Sequence, residues 1–524
     1  MAAIRCSLIF LIPSVTYAIS AQWDLDPISG DWNTAANWTP NGVPNGPADN
    51  ATFGLSNMTD VELSEDTEVN SIIFTPAVSG FYTITSIRTT LTISGVGIKN
   101  NSGFSPTFDQ FGGTIRFTNS STAGNAFIND GGSTNFFDRS TAGNSTIVTF
   151  DEAINFFDRS TAGSATFSPG GQGGSANFFD NSTAGSAQIF FPGFGSGAVS
   201  FFDNSTAGSA FIEINDQGTS LRFADNSTAG SATITLFDGF CSVFFEDSSQ
   251  GGTARIHLDQ GCILDISLHN APGVTIGSIE GEANVFLGAN NLTIGSNNLS
   301  TTFSGVIQDG GQNGGTGGSL TKIGRGTLTL TGANTYTGDT NVNRGVLQVD
   351  GSITSNTFVN RGATLAGTGT IDGNLTNNGK VSPGSAGAPG MLTVVHNYTQ
   401  AQYATLMIQI AGTNTGDFSV LNVLGNANLS GQLEPVLLNG FVPTIDESFT
   451  FLNYGAVNGT LFMFNRNIDN LPEHWEVSYF PTNAILSVVA GNVLVPDQGS
   501  TFLLLTLSLF GVVTFRRQLL RGQP

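Results

Sequence analysis

The side chains that most often carry out chemistry are scarce in this sequence of 524 residues. Four histidines are present, at His257, His269, His396 and His474, and no two stand at the spacing of a ligand pair on one helix or strand. A zinc site and a Ser-His-Asp arrangement therefore have little support. The 17 Lys and Arg residues against 39 Asp and Glu leave a net charge of −22, which disfavours binding to nucleic acid.

Aspartate recurs at a regular spacing of about 20 residues, with Asn119 in place of the first copy: Asp138, Asp158, Asp180, Asp203, Asp225 and Asp247. A column of Asp138, Asp158, Asp180 and Asp203 could coordinate calcium, because oxygen ligands suit a hard cation. The same side chains could instead hydrogen-bond the backbone of a turn, a role that Asn119 can share. We favour the turn role and expect no cofactor, since the Gly-Gly-x-Gly-x-Asp repeat of calcium-binding rolls is absent.

Two cysteines, Cys241 and Cys262, lie 21 residues apart, which is about one unit of the repeat described next. Stacked units would bring their Cα atoms to about 5 Å, within the range of a disulfide. The alternative is that both are small buried hydrophobic residues.

An internal repeat organises these residues. The string Ser-Thr-Ala-Gly begins at intervals of 19 to 23 residues, with a degenerate copy at Ser249: Ser121, Ser140, Ser160, Ser182, Ser205 and Ser227. Such a short period is typical of a solenoid coil. Strand alternation, together with the many β-branched, aromatic and glycine residues, predicts an all-β, parallel β-helix with coils of about 20–22 residues.

Phenylalanine stands four positions before each of these serines, as at Phe136, Phe156 and Phe178, and we expect this position to face the core. The next position also holds Phe137, Phe157, Phe179 and Phe202, but Thr118 and Glu246 in other copies. Alternation therefore places these four rings outward, as an apolar stripe of the kind that marks an interaction site.

The segment after Ser319, SLTKIGRGTLTLTGANTYTGDTNVNRGVLQV, resembles the autotransporter-associated β-strand repeat. That resemblance implies a right-handed parallel β-helix. Near the C-terminus, Val495, Pro496 and Asp497 precede an apolar run that is closed by Arg516 and Arg517.

This tail is similar to PEP-CTERM and related VPD-type bacterial sorting signals. The similarity implies export, recognition by an exosortase-like processing protease, and a location that is outer-membrane associated, at the cell surface or secreted. A plain membrane anchor is the alternative, and in either case the chain would meet the membrane only through this segment.

Six segments follow from these patterns. They are a signal peptide (1–18), an N-terminal β region and solenoid cap (19–100), the Phe/Ser-Thr-Ala-Gly solenoid (101–305), the autotransporter-associated repeat region (306–395), C-terminal β coils or cap (396–490) and the sorting signal (491–524). We expect Trp23, Trp32 and Trp38 to cover the open end of the solenoid. Stacking of these indoles on sugar rings is the alternative.

The sequence predicts the function of the protein less directly than it predicts the fold. The repeat shows no break that carries paired carboxylates with a Lys or Arg, so we expect a non-enzymatic, structural or adhesive protein of the cell surface or extracellular matrix. Surface polysaccharides or other cell-surface molecules are the expected partners. The alternatives are a carbohydrate-active β-helix enzyme, either a lyase or a hydrolase, and a carbohydrate-binding module.

Overall fold

A computed structural model describes residues 18–491, except 170–172, 192–195, 216, 238, 464–465 and 469–471. The signal peptide, apart from Ala18, lies outside the described residues, as do Val495, Pro496, Asp497, Arg516 and Arg517 of the sorting motif.

The described chain winds into a parallel β-solenoid with three faces, and the predicted all-β solenoid is confirmed. In one coil, Thr146–Thr149 lies on face 1 and Ala153–Phe156 on face 2, and Thr161 makes a single bridge on face 3 before Thr166–Pro169 returns to face 1. Coils with the Ser-Thr-Ala-Gly marker follow the predicted period. Elsewhere the separation of in-register residues ranges from 16, between Leu365 and Val381, to 31, between Leu421 and Leu452.

Face 1 is a continuous parallel ladder. Its strands are Asp60–Leu63, Thr83–Ile87, Thr146–Thr149, Thr166–Pro169, Gln188–Phe191, Phe211–Ile214, Thr233–Leu236, Arg255–Leu258, Ser278–Gly281, Thr301–Phe303, Thr327–Leu330, Gly345–Val349, Ala363–Gly367, Lys380–Ser385, Thr405–Ile410 and Gln432–Leu437. Two long strands bend from face 1 into face 2: Thr107–Phe117 and Phe127–Phe136.

Face 2 carries the phenylalanine positions of the repeat. Its strands are Ala153–Phe156, Ser175–Phe178, Ala198–Phe201, Ser220–Phe223, Ser242–Phe245, Ile263–Asp265, Asn284–Phe286, Val306–Gln308, Ala333–Asn334, Ser352–Ile353, Thr370–Ile371, Met391–Val394, Val420–Val423 and Ser448–Asn453. Three long strands bend from face 2 into face 3: Gly46–Phe53, Thr67–Phe74 and Thr90–Asn100.

Face 3 changes character along the axis. Ser20–Trp23 begins it, and single bridges continue it from Thr122 to Gln250. Full strands follow: Gly273–Ile276, Asn291–Ile294, Ser319–Lys322, Thr340–Val342, Thr357–Val359, Leu375–Asn377, Tyr398–Gln400, Asn426–Leu429 and Ala456–Gly459. The only helical segment of the described chain is the 3-10 turn Ala35–Asn37, which is far too short to cross a membrane.

Inward phenylalanines form the core of the repeat region. Phe136, Phe156 and Phe178 are fully buried, and their ring centroids lie 4.7 Å apart with nearly parallel planes. This separation equals the strand spacing, because identical residues stack in register on successive coils. The predicted column on a single face is confirmed.

The two ends of the described solenoid are closed differently. At the N-terminal end Trp38 pairs antiparallel with Trp23. At the other end, strands His474–Tyr479 and Asn483–Val489 form an antiparallel pair that extends the face 2 strand Ser448–Asn453. Within the solenoid, a further short antiparallel contact joins Ala388–Pro389 to Lys380–Ser385.

Candidate interaction site

The outward stripe predicted on face 2 is an ordered ladder of four aromatic rings. Ring centroids are 4.9 Å apart for Phe137 and Phe157, 5.1 Å for Phe157 and Phe179, and 5.2 Å for Phe179 and Phe202. The planes differ by 10° or less, so the rings stack face to face. Stacking leaves each ring partly buried, and the side that meets solvent is its edge.

Arginine closes the ladder at both ends. The Arg116 guanidinium carbon lies 4.8 Å from the Phe137 ring centroid, and that of Arg222 lies 5.9 Å from the Phe202 centroid. Arg222 also forms an ion pair with Glu246. Since cations favour ring faces, the two terminal faces of the ladder are occupied by the protein itself.

Polar ladders flank the aromatic one. On the adjacent outward position of face 2, Asn155 donates to Asn135 at 2.9 Å and Asn177 donates to Asn155 at 3.0 Å. On the other side lies the corner that holds the aspartates. The apolar stripe is therefore narrow and has hydrogen-bonded borders.

The aspartates line this corner and stabilise it. Asp138, Asp158 and Asp180 have positive φ values of 55° to 58°, and Oδ2 of each accepts the backbone N–H of the preceding column member at 2.8–3.0 Å. Asn119 occupies the same backbone conformation. The geometry matches the turn role. No group of three or more His, Cys, Asp or Glu side chains in the described part of the chain is arranged to hold a metal ion.

The cysteines lie in neighbouring coils on the core side. Both Cys241 and Cys262 are fully buried, their Cα atoms are 4.7 Å apart, and the structure joins them as a disulfide. The predicted stacking is thus present.

The tryptophans cannot serve as an exposed sugar platform. Trp23, Trp32 and Trp38 are all fully buried, with Trp38 at 5.0 Å from each of the other two by ring centroid. Each indole N–H donates to a backbone carbonyl, at 2.7–3.0 Å. The sugar-stacking alternative for these residues is wrong, because burial of the indoles against Phe53 removes their faces from solvent.

Face 1 carries a polar cluster that the repeat comparison missed. Arg255 Nε donates to Glu280 Oε1 at 2.5 Å, and this bond raises the pKa of Arg255. The His257 ring lies between two carboxylates, with Nε2 3.0 Å from Asp259 and Nδ1 4.0 Å from Glu280. The cluster borders an open cavity of about 430 Å³, which is also lined by Thr302 and other hydroxyl side chains. The sequence did contain a signal for this cluster. In the segment Arg-Ile-His-Leu-Asp, ionisable residues alternate with apolar ones, as they do on a strand with one solvent-exposed face.

The other histidines do not join this cluster. His269 is buried, and its ring nitrogens lie 2.5 Å from the Asn270 carbonyl and 2.7 Å from the Ser249 carbonyl.

Comparison with known families now identifies two segments. The model of the passenger-associated-transport-repeat matches residues 320–349, and that of the VPDSG-CTERM motif matches residues 495–519. The chain carries an autotransporter-associated repeat and a C-terminal sorting motif. These features indicate an exported protein that is secreted or located at the cell surface.

Lys322 shows what the repeat motif does. It is buried on face 3, and its Nζ donates to the carbonyls of Ile323, Gly324 and Arg344 at 2.6–3.4 Å. Burial lowers the pKa of Lys322 to about 8. The motif lysine therefore joins successive corners of the solenoid through their backbone oxygens.

Two curated relatives resemble parts of the chain. An "Extracellular serine protease" of Serratia marcescens is 40% identical over 101 residues, which are 19% of this chain and 10% of that protein. The "Adhesin BmaC autotransporter" of Brucella suis biovar 1 (strain 1330) is 32% identical over 163 residues, or 29% of this chain and 5% of that protein. The chain thus spans a tenth or less of the length of these relatives.

Proposed function

We propose that this exported solenoid is a non-enzymatic adhesive protein that attaches through the Phe137–Phe202 ladder. The proposal rests on the geometry of the ladder, whose two terminal ring faces are covered by arginine side chains. Its ring faces are occupied by neighbouring rings or by Arg116 and Arg222, so a partner meets a row of ring edges.

Exposed ring edges suit an apolar partner better than a sugar. A sugar that stacks on an aromatic side chain needs a free ring face, whereas an apolar surface can contact edges spaced at about 5 Å. The partly buried rings also keep the stripe small, and a small apolar area gives weak attachment unless many copies act together. We infer that the ladder contacts apolar cell-surface or matrix molecules, and that many copies on one surface supply avidity. Similarity to an adhesin supports this role.

The test replaces Phe137, Phe157, Phe179 and Phe202 together with Thr. A matched control replaces four exposed phenylalanines outside the ladder, Phe111, Phe127, Phe150 and Phe480. Both proteins should retain β-type circular dichroism. Protein-coated beads carrying the ladder variant should lose attachment to alkyl-coated surfaces, while the control beads retain it. Equal attachment by the two variants would refute the adhesive role of the ladder.

The sorting motif suggests a processing partner. We propose that an exosortase-like protease cleaves near Pro496 and Asp497, since the motif match covers both residues. Mass spectrometry of the exported protein should then show a C-terminus in this region. Detection of peptides with Arg516 and Arg517 in mature surface material would instead support a retained anchor.

The polar cluster on face 1 favours a second candidate function, carbohydrate binding or cleavage. Arg255, His257 and Glu280 supply donors and acceptors beside a cavity with hydroxyl side chains. Glu280→Gln and His257→Gln should weaken binding to a defined panel of bacterial and plant polysaccharides if this function is real. Reducing-end release from the same panel would separate cleavage from binding.

A further inference from the structure

A row of buried polar side chains crosses three coils near the corner between faces 1 and 2. Ser86 pairs in register with Gln110, and Gln110 pairs with Asp130. The three residues are 3%, 2% and 0% exposed. A carboxyl group so deep in an apolar solenoid requires a specific partner, because burial strongly disfavours its charged form.

Each residue of this row has one oxygen without a hydrogen-bond partner among the described residues: Ser86 Oγ, Gln110 Oε1 and Asp130 Oδ2. The remaining polar atoms of Gln110 and Asp130 are engaged. Gln110 Nε2 donates to Thr134 Oγ1 at 2.9 Å, and Asp130 Oδ1 accepts the Gly132 N–H at 3.1 Å. An acceptor on Gln110 and a carboxyl oxygen on Asp130 therefore remain on adjacent strands, which lie about 4.8 Å apart.

We propose that this row is an interior proton-binding site, in which Asp130 is neutral and its Oδ2–H donates to Gln110 Oε1. One bound proton gives both oxygens a partner and removes a buried charge at the same time. Ser86 Oγ–H, at the next position of the row, can donate to the same amide oxygen, which has two lone pairs.

The surroundings of Asp130 favour the neutral form. Burial raises the pKa of Asp130 to about 7, although the nearby Thr134 hydroxyl and the Gly132 N–H oppose the shift, and the Glu152 carboxylate raises the pKa further. Glu152 is the charged group that acts on this site. The in-register neighbours Gln110 and Thr149 are neutral.

Proton binding links this part of the solenoid to pH. The unfolded carboxyl has a pKa of 3.8, so between about pH 4 and pH 7 the folded chain holds a proton that the unfolded chain releases. Stability of these coils therefore falls as pH rises through this window, by up to about tenfold in the opening equilibrium per pH unit. Above about pH 7 both states are ionised at this residue, and the effect levels off.

Asp130→Asn tests the site, because the Asn amide can donate to Gln110 Oε1 at every pH. Asp158→Asn is the matched control, since Asp158 is exposed and Asn119 already occupies an equivalent position. Hydrogen exchange of peptides within 107–136, corrected for intrinsic rates, is measured from pH 4.5 to pH 8 in all three proteins. Peptides within 340–377 serve as an internal reference.

The native chain and Asp158→Asn should lose protection in 107–136 between pH 4.5 and pH 7, whereas Asp130→Asn should not. Parallel profiles for all three proteins would overturn the proposal, and would fit a bridging water. Loss of protection or of folding in Asp130→Asn at every pH would also overturn it, in favour of an ionised Asp130 that accepts from a rotated Gln110 amide. Dependence on Na⁺ or K⁺ at constant ionic strength would replace the proton by a metal cation.

Discussion

At the scale of single residues, adjacent phenylalanines have opposite roles. Phe156 is fully buried, and Phe157 is partly exposed in the outward ladder. The difference arises because successive strand residues point to opposite sides of the sheet. A phenylalanine therefore packs in the core at one position and contributes to the candidate interaction surface at the next.

Truncation of these two rings should separate the roles. Phe156→Ala leaves a cavity between Phe136 and Phe178, and should lower the free energy of unfolding by about 3–5 kcal/mol. Phe157→Ala removes two stacking contacts at a partly exposed position, and should cost about 1–3 kcal/mol. Denaturant unfolding of the two variants measures the difference, and a larger loss for Phe157→Ala would contradict the assignment of inward and outward columns.

Comparison of the repeat copies predicted the orientation of residues that recur in each coil, but it missed contacts that occur only once. Phe136, Phe156 and Phe178 could be placed inward because their neighbours vary from copy to copy. Arg255, His257 and Glu280 converge at only one place on face 1, and Glu280 comes from the following coil, 25 residues after Arg255. Asp130 and Gln110 were missed for the same reason, since a contact across coils is visible only once the register is known.

At the scale of secondary-structure elements, the corners decide whether coils can stack. The glycine that ends each Ser-Thr-Ala-Gly copy has positive φ, and a Cβ on Gly185 would lie 2.6 Å from the Gly163 carbonyl oxygen. The corner thus requires glycine both for its backbone conformation and for the close approach of the next coil.

Gly185→Ala should therefore destabilise the solenoid by about 1–3 kcal/mol, the usual cost of a strained backbone position. Gly80→Ala is the control, because a Cβ there has no atom within 4 Å. Thermal unfolding should show a lower midpoint for Gly185→Ala and an unchanged or slightly higher one for Gly80→Ala. Equal midpoints would show that the corner can relax around a side chain.

The third face was the least predictable element. In the repeat region it consists of single bridges at residues such as Thr141 and Thr161, too short to give an alternating pattern. From Gly273–Ile276 onward it has full strands, but these lie beyond the last copy of the marker. The repeat pattern thus located the Phe-bearing strand of each coil, whereas the third face became visible only in the backbone structure.

The cysteines allow disulfide formation between neighbouring coils to be tested without any mutation. With Cα atoms 4.7 Å apart, Cys241 and Cys262 should be oxidised in the exported protein. Titration of unfolded, unreduced mature protein should find no free thiol. Two free thiols would show that the pair remains reduced, although the stacking itself could persist.

At the scale of the whole molecule, successive coils stack in register, so that equivalent side chains of the repeat form long ladders. The inward Phe ladder supplies apolar core, the Asp ladder secures a corner, and the outward Phe ladder presents ring edges. The net charge of −22 favours the solubility of such a stack. The proposed adhesive surface depends on the in-register winding of the coils.

Disulfide trapping across the outward ladder tests this register most directly. Phe157→Cys combined with Phe179→Cys places two thiols at positions whose native rings lie 5.1 Å apart, whereas Phe157→Cys combined with Phe178→Cys places them on opposite sides of the sheet. Mild oxidation followed by peptide mass spectrometry should find the 157–179 cross-link in the first protein, and no 157–178 cross-link in the second. Cross-linking of the second pair, or failure of the first, would contradict the in-register parallel solenoid.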